Sequence, residues 1–267
     1  MATSFRSPRK IARRLKLTPL AVSALRSWPR FMFNYALGLV PRTPYRFRSG
    51  ALLGLSRAVD HVPIIEIFLR KDYGDIPEDV TTIVDIGANI GAFSIFAARA
   101  TRNVRVYAYE PMASFHRMLD ENVRVNDAAG TIRTFNMAVG DSDRDRDLVV
   151  EGEGIFFPTM MAPEAGPTRT VRVACTTLGD IMQTNNLPGI DLLKMDCEGA
   201  EYEILRSISS ADFERIREIR MEYHDLPGEG RNSESLVRLL SGQGYEIVLL
   251  KGTPGSEKIG NLWARRA

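Results

Sequence analysis

Residues 81–91 read T-T-I-V-D-I-G-A-N-I-G, and residues 104–111 read V-R-V-Y-A-Y-E-P. The first run opens as a short apolar strand through Thr82, Ile83 and Val84, stops at Asp85, and turns through Gly87, Asn89 and Gly91. A helix is expected over residues 92–100. The second run is another short strand, and it ends on a carboxylate, Glu110. A strand, a glycine turn that opens a helix, and a second strand that ends in an acid make up half of a nucleotide-binding unit. Glycine lets the backbone approach a ligand where a Cβ would collide. The helix N-terminus offers unpaired N–H groups and a partial positive charge. Glu110, nineteen residues after Gly91, is placed to accept hydrogen bonds from both hydroxyls of a ribose.

The turn alone is weak, since ordinary strand–helix junctions also carry glycines. The acid at the end of the next strand is what points to a nucleoside. Spacing narrows the ligand: G-x-N-x-G is not the G-x-G-x-x-G expected beneath a pyrophosphate. That favours one nucleoside without a diphosphate, such as S-adenosylmethionine, over NAD.

Apolar content of 44% and charged content of 25% over 267 residues are those of a globular chain with material for a large core. No apolar run spans a bilayer, residues 31–40 being the longest candidate, and the start lacks a secretory signal's pattern. Cys175 and Cys197 form no metal-ligand spacing and read as buried thiols. A cytoplasmic protein is expected, with peripheral membrane contact as a possibility.

The net charge of +2 hides an asymmetry. Residues 1–59 hold 12 Lys+Arg and no acid, which leaves 23 bases against 33 acids, or −10, for the remainder. A basic arm over residues 1–60, with short helices broken by Pro19, Pro29, Pro41 and Pro44, is expected ahead of a main domain over 61–267. The arm reads as a solvated tail, or as a contact for anionic membrane through residues 1–40, where Phe31, Met32, Phe33, Tyr35 and Leu37 add apolar surface. Nucleic acid is the less favoured partner, and an Arg-rich, acid-poor start also fits an organelle transit peptide.

Residues 51–72 read as one or two helices divided at Pro63, a segment that can lid a binding site or simply cover the first strand. A helix over 112–122 and a third strand over 131–137 follow. The turn Ala138-Val139-Gly140-Asp141 then lies where small residues let backbone groups read an adenine edge. Residues 147–151 and 169–174 read as a hairpin joined by a loop through Ile155, Phe156 and Phe157, a candidate acceptor-binding loop. A short helix over 177–184, strands over 190–195 and 219–223, helices over 212–219 and 233–241, and terminal strands over 245–250 and 260–263 complete the chain. The alternation implies an α/β fold with a mostly parallel sheet and an antiparallel edge. Ligands in such sheets bind beyond the strands' carboxyl ends, which gathers Gly87, Glu110, Ala138, Asp196 and Glu222 into one crevice.

Residues 191–201, D-L-L-K-M-D-C-E-G-A-E, are the most specific string. With V-D-I-G-A-N-I-G and Y-E-P, over about residues 66–225, the chain resembles the FkbM-type family of S-adenosylmethionine-dependent methyltransferases. The resemblance implies a Rossmann-like class I methyltransferase fold, with seven strands and helices on both faces, and O-methylation of a sugar or natural-product hydroxyl. It also implies that Asp85, Gly87, Asn89 and Gly91 surround the methionine end of the cofactor and that Glu110 holds the ribose. Residues 1–60 lie outside it.

Methyl transfer from a sulfonium needs the acceptor oxygen aligned, and a base to take its proton accelerates it by about 10²–10⁴-fold. Three groups sit where the fourth and fifth strands end: Asp196, Glu222 and His224. His224 is the first choice for the base, because an unperturbed imidazole is largely unprotonated at pH 7. Asp196 is expected in the crevice, near cofactor or acceptor. Glu222 could pair with Asp196 on a divalent cation, but no spacing enforces this and no metal is expected. Glu198 and Glu201 read as acids favoured at a helix start. Lys194, in mid-strand, needs a carboxylate partner if buried. The rival readings are a nicotinamide-dependent oxidoreductase, opposed by the turn spacing and a missing tyrosine–lysine pair, and a non-catalytic nucleoside-binding adaptor.

Overall fold

The computed structural model describes residues 8–151, 168–253, 256 and 258–266. The aromatic loop residues Ile155, Phe156 and Phe157 lie outside the described residues.

The chain opens with two helices, α1 (Pro8–Ala24) and α2 (Trp28–Leu37). Where short broken pieces were expected, α1 runs through Pro19. An interior proline costs about 3 kcal/mol. Burial of Leu17, Ala21 and Leu25 in the core on both sides of it offsets that cost. Pro29 falls in the first turn of α2, where a missing N–H loses nothing. Gly38 ends α2 in a left-handed conformation, its N–H bonded to the Asn34 carbonyl. Strands β1 (Tyr45–Arg46) and β2 (Leu52–Leu53) then pair antiparallel.

Residues 51–72 are not the helix or pair of helices that the apolar pattern implies. After β2 comes a 3₁₀ turn (Ala58–Asp60), then α3 (His61–Pro63), then a π-helix (Ile64–Leu69). The Asp60 carboxylate starts this segment by accepting from the Ser56 and Arg57 N–H groups at 2.9 and 2.8 Å. Pro63 has no N–H to continue the ladder, and the hydrogen-bond register widens immediately after it.

The centre of the molecule is a seven-stranded sheet in the order β12 (Tyr245–Gly252), β13 (Ile259–Arg266), β11 (Ile216–His224), β10 (Ile190–Met195), β3 (Thr82–Ile86), β4 (Arg105–Tyr109) and β5 (Ile132–Phe135). Its first half is β3 (Thr82–Ile86), α4 (Ala92–Ala100), β4 (Arg105–Tyr109), α5 (Ala113–Val125) and β5 (Ile132–Phe135). A short strand β6 (Ala138–Val139) follows, then the hairpin β7 (Arg146–Glu151) and β8 (Thr168–Val173), which is the hairpin read from the sequence. Strand β9 (Cys175–Thr176) pairs in parallel with β6, so Ala138 and Val139 lie in a two-residue ladder rather than in a turn.

The second half runs α6 (Leu178–Thr184), β10 (Ile190–Met195), α7 (Glu201–Ser207), α8 (Ser210–Phe213), β11 (Ile216–His224), α9 (Ser233–Gly242), β12 (Tyr245–Gly252) and β13 (Ile259–Arg266). The helix expected over 212–219 is confined to α8, and β11 begins at Ile216. Charged residues in I-R-E-I-R-M-E-Y-H conceal that strand, because their partners come from distant segments. Arg220 donates to Glu218 at 2.6 Å and to the Tyr73 and Asp75 carbonyls at 2.5 and 2.8 Å. Strands β3, β4, β5, β10 and β11 are parallel, and β13 is reversed against both β11 and β12. This is the mostly parallel, antiparallel-edged sheet that the sequence implied.

Side chains alternate between the two faces, each with its own apolar cluster. Ile83, Val106, Ile132 and Leu192 face a layer that includes Leu25, Phe31, Ile64, Phe68 and Phe93. Val84, Tyr107, Leu193 and Ile219 face α6, α7 and α9 through Met182, Tyr202 and Leu236. The N-terminal helices are therefore part of the first face's core from Leu17 onward.

Candidate active site

A cavity of about 330 Å³ opens at the carboxyl ends of β3, β4, β10 and β11, within the range of small-molecule sites. The sheet contributes Gly87, Ala88, Asn89, Glu110, Lys194, Asp196 and Glu222 to its wall. The segment 57–67 closes the opposite side with Asp60, Val62, Pro63 and Glu66 among others. Acids dominate, with Asp60, Glu66, Glu110, Asp196, Glu198 and Glu222 set against Arg57 and Lys194.

The turn after β3 is built by close approach. Gly87 has φ +73, and a Cβ there would stand 1.8 Å from the Asp196 carbonyl oxygen. Glycine at this position lets the ends of β3 and β10 meet. Gly91, at φ +82, opens α4, and a Cβ on it would lie 2.5 Å from Leu119 Cδ1 on α5. Between them Asn89 adopts φ +51, a left-handed conformation that asparagine tolerates. Its N–H donates to Glu110 Oε2 at 2.8 Å, while Glu110 Oε1 accepts from the Met112 N–H at 2.9 Å. Glu110 is thus buried, fixed at the cavity wall, and left with lone pairs on both oxygens. Burial raises its pKa to about 7 against the pull of those two N–H groups.

Asp85 does not face the cavity. Its Oδ2 accepts from the Ser94 hydroxyl at 2.7 Å, and its Oδ1 pairs with Lys194 Nζ at 3.1 Å. Lys194 also donates to the Gly87 carbonyl at 2.9 Å and lies 3.9 Å from Asp196. Burial alone would disfavour its charge, but Asp85 and Asp196 outweigh that and raise its pKa. The mid-strand lysine therefore has the carboxylate partner that its burial demands, and it braces the glycine turn against β10.

Asp196 sits at the cavity wall with its Oδ2 accepting from the Tyr73 hydroxyl at 3.0 Å. Glu222 lies beside it on β11, and burial together with the Asp196 charge raises its pKa to about 9. Glu66 on the facing segment is raised to about 7 by the same two causes. At neutral pH Glu222 therefore carries a proton and Asp196 stands beside a neutral acid.

His224 is placed differently from the expectation of a free imidazole base. It is 2% exposed and does not line the cavity. Its Nε2 is 3.3 Å from Glu198 and 3.6 Å from Glu222, and its Nδ1 is 3.4 Å from Glu201. Burial favours the neutral ring, but Glu198 and Glu201 overcome it and push the pKa up to about 11. The ring is an imidazolium at neutral pH, with no lone pair to accept a proton. Glu201 is likewise more than a helix-start acid, since its fully buried Oε1 accepts from the Cys197 and Gly199 N–H groups at 3.2 Å each. Ala138 and Val139 do not line this cavity either. No group of three or more His, Cys, Asp or Glu side chains among the described residues is arranged to hold a metal ion.

Sequence reasoning missed Glu66, Tyr73, Phe93, Phe115 and Arg57, all of which line the cavity. The Arg57 guanidinium lies 3.9 Å above the Phe115 ring, closing one end. Tyr73 and Phe93 meet edge-on at 5.7 Å and approach Lys194 at 5.4 and 5.9 Å. Only the possibility that residues 51–72 form a lid pointed toward any of them, Arg57 and Glu66.

The family model described as Methyltransferase FkbM domain matches residues 85–247, from the aspartate of the glycine turn to β12. The chain belongs to the FkbM methyltransferase family. The 31-O-demethyl-FK506 methyltransferase FkbM of Streptomyces tacrolimicus is 30% identical over 209 residues, covering 68% of this chain and 78% of that protein. The AMB antimetabolite synthetase AmbE of Pseudomonas aeruginosa is 26% identical over 234 residues, but this chain spans only 11% of it. The solved structure of methyltransferase FkbM from Methylobacillus flagellatus superposes with a TM-score of 0.50 at 15% identity, over 96% of this chain and 60% of that one. It shares the fold. In this FkbM methyltransferase the three motifs converge at one cavity: the glycine turn, the E-P after β4, and K-M-D-C-E-G-A-E at the end of β10.

Proposed function

We propose that the protein is an S-adenosylmethionine-dependent O-methyltransferase whose acceptor is a hydroxyl of a saccharide, glycoconjugate or natural product. The observation that carries this reading is Glu110, a buried carboxylate at the cavity wall whose two oxygens each keep capacity for a ribose hydroxyl. The cavity's excess of carboxylates fits a ligand that bears a sulfonium and an ammonium. The side-chain oxygen of Asn89, buried without a hydrogen-bond partner, is available to such a ligand. Glu110 would hold the ribose, and Gly87, Ala88 and Asn89 would border the rest of the molecule.

When bound, S-adenosylmethionine supplies an electrophilic methyl group. The chain supplies position and proton handling. Asp196 is the base in this reading, because Tyr73 occupies only its Oδ2 and its other oxygen is free for an acceptor hydroxyl. Glu222, protonated at neutral pH, can donate to the acceptor without competing for its proton. His224 acts through Glu198 and Glu201, as a buried cation that keeps those carboxylates in place. Oxygen as the nucleophile is supported by the Streptomyces relative, whose name gives an O-demethylated compound as its substrate.

The test is isothermal titration with S-adenosylmethionine, S-adenosylhomocysteine and NADH. The first two should bind, and Glu110→Ala should weaken them by about 1–3 kcal/mol, the scale of charge-assisted hydrogen bonds. Binding of NADH alone would overturn the proposal in favour of an oxidoreductase. Cofactor binding without methyl transfer to any member of a hydroxylated acceptor library would leave a nucleoside-binding adaptor.

A further inference from the structure

Ten large apolar side chains are exposed among the described residues, and eight of them fall between Leu20 and Val62. Phe33 is 61% exposed and Leu37 49%, four residues apart on one stripe of α2, with Leu39 and Val40 exposed just beyond it. The opposite side of α2 is buried, where Phe31 and Tyr35 lie 5.5 and 5.8 Å from the His61 ring. His61 belongs to the segment that walls the main cavity, and its neighbours Val59 and Val62 are both cavity-lining and exposed. The exposed apolar surface therefore borders the cavity mouth.

Up to Val59 the same stretch carries no acid. Residues 1–59 hold 12 Lys+Arg and neither Asp nor Glu, and Arg26, Arg42, Arg46 and Arg48 are exposed. A second cavity of about 400 Å³ lies here, lined by Ser27, Arg30, Thr43, Pro44, Arg46 and Leu52. Buried at this place is Arg30 Nε, which has no hydrogen-bond partner. Hydroxyls and guanidinium groups around a small cavity suit a phosphate oxygen.

We propose that this face docks on an anionic lipid bilayer, α2 lying in the interface with the main cavity's mouth turned to the lipid. A bilayer rewards both features at once: aliphatic and aromatic side chains enter the acyl boundary, and bases meet anionic headgroups. Nucleic acid would reward the charge and a base could stack on Phe33, but it would leave the aliphatic Leu37, Leu39 and Val40 in water. A second copy would cover the apolar patch, but it would bring two sets of the exposed bases Arg26, Arg42, Arg46 and Arg48 face to face. No helix of the described residues is long and apolar enough to cross a membrane, and the contact proposed is a peripheral one. The proposal stands apart from the methyl-transfer reading.

Deleting the segment would strip Leu17, Leu25 and Phe31 from the core, so point variants of the full chain are the proper test. Sedimentation with neutral phosphatidylcholine vesicles and with vesicles containing phosphatidylglycerol should show binding to the second kind alone at low salt. Arg42→Gln with Arg46→Gln should weaken it about thirtyfold, the scale for two bases at a charged surface. Phe33→Ser with Leu37→Ser should weaken it while leaving the melting temperature unchanged, because both side chains are already exposed. Equal partition onto both vesicle types, or variants that bind like the wild type, would overturn the proposal. So would release by inorganic phosphate with no effect of the apolar variant, or a dimer in light scattering that Phe33→Ser with Leu37→Ser dissociates and that binds no vesicles.

Discussion

Replacing Lys194 with methionine is the sharpest test of how the glycine turn is held. The residue is 2% exposed, and its ammonium lies 3.1 Å from Asp85, itself fully buried, and 2.9 Å from the Gly87 carbonyl. Methionine keeps most of the stem, so the loss isolates the ammonium, with its ion pair, its hydrogen bond to Gly87 and its approach to the Tyr73 and Phe93 rings. Removing one member of a buried pair leaves the other uncompensated, at a cost of about 3–5 kcal/mol. For a chain of this size that is a fall in melting temperature of about 6–20 °C, at about 2–4 °C per kcal/mol. The pH dependence follows from the sign of the shift. The folded pKa of Lys194 is raised above its ordinary 10.5, so its contribution is complete below that value and is lost only as pH rises through the folded pKa. The wild-type advantage should therefore hold steady from pH 7 to 9. Lys194→Met combined with Asp85→Asn should recover most of the loss, since a pair removed together leaves no orphan charge. Urea unfolding of the four proteins measures this. A single-variant loss under about 1 kcal/mol, or strictly additive losses in the double variant, would refute the bracing role.

Gly87→Ala should cost about 2–5 kcal/mol by thermal melting, from a left-handed φ and a Cβ driven into the Asp196 carbonyl; a melt within 1 °C of wild type would contradict the close approach. Nitrogen NMR should find His224 doubly protonated from pH 6 to 9. Its folded pKa of about 11 lies above the ordinary 6.5, so its stabilising contribution is full below that lower value and drains away as pH rises toward the higher one. A midpoint near 6.5 would restore the neutral imidazole. Asp196→Asn should lower turnover by about 10²–10⁴-fold, whereas Glu222→Gln, a mimic of the protonated acid, should stay within a few fold of wild type near neutral pH. The reverse ranking would transfer the base role to Glu222.

The local pattern around Gly87 and Glu110 was readable because each piece of it is short-range. A β-branched run, a turn that needs positive φ, and a strand-end acid are properties of neighbouring residues. The same holds for the hairpin β7–β8 and for α9, where apolar periodicity matches the element. The misreadings have two causes. Strand β11 looked like helix followed by a short strand because its charges are satisfied by Tyr73, Asp75 and Arg265, which are distant in sequence. Residues 51–72 read as one or two helices divided at Pro63 because apolar spacing cannot tell an α-helical ladder from the 3₁₀ turn and the π-helix found there.

His224 shows the division most plainly. The chain alone establishes a titratable ring at the end of a strand, in an order of motifs that marks the family. Its charge state is set by Glu198 and Glu201, brought within 3.4 Å by the packing of the loop after β10 against β11. Sequence determined which chemical groups stand at the strand tips, since backbone pattern and turn chemistry are local. Tertiary structure alone decided which of those groups face the cavity and which keep their protons, because burial and the distance between charges exist only once the strands are assembled.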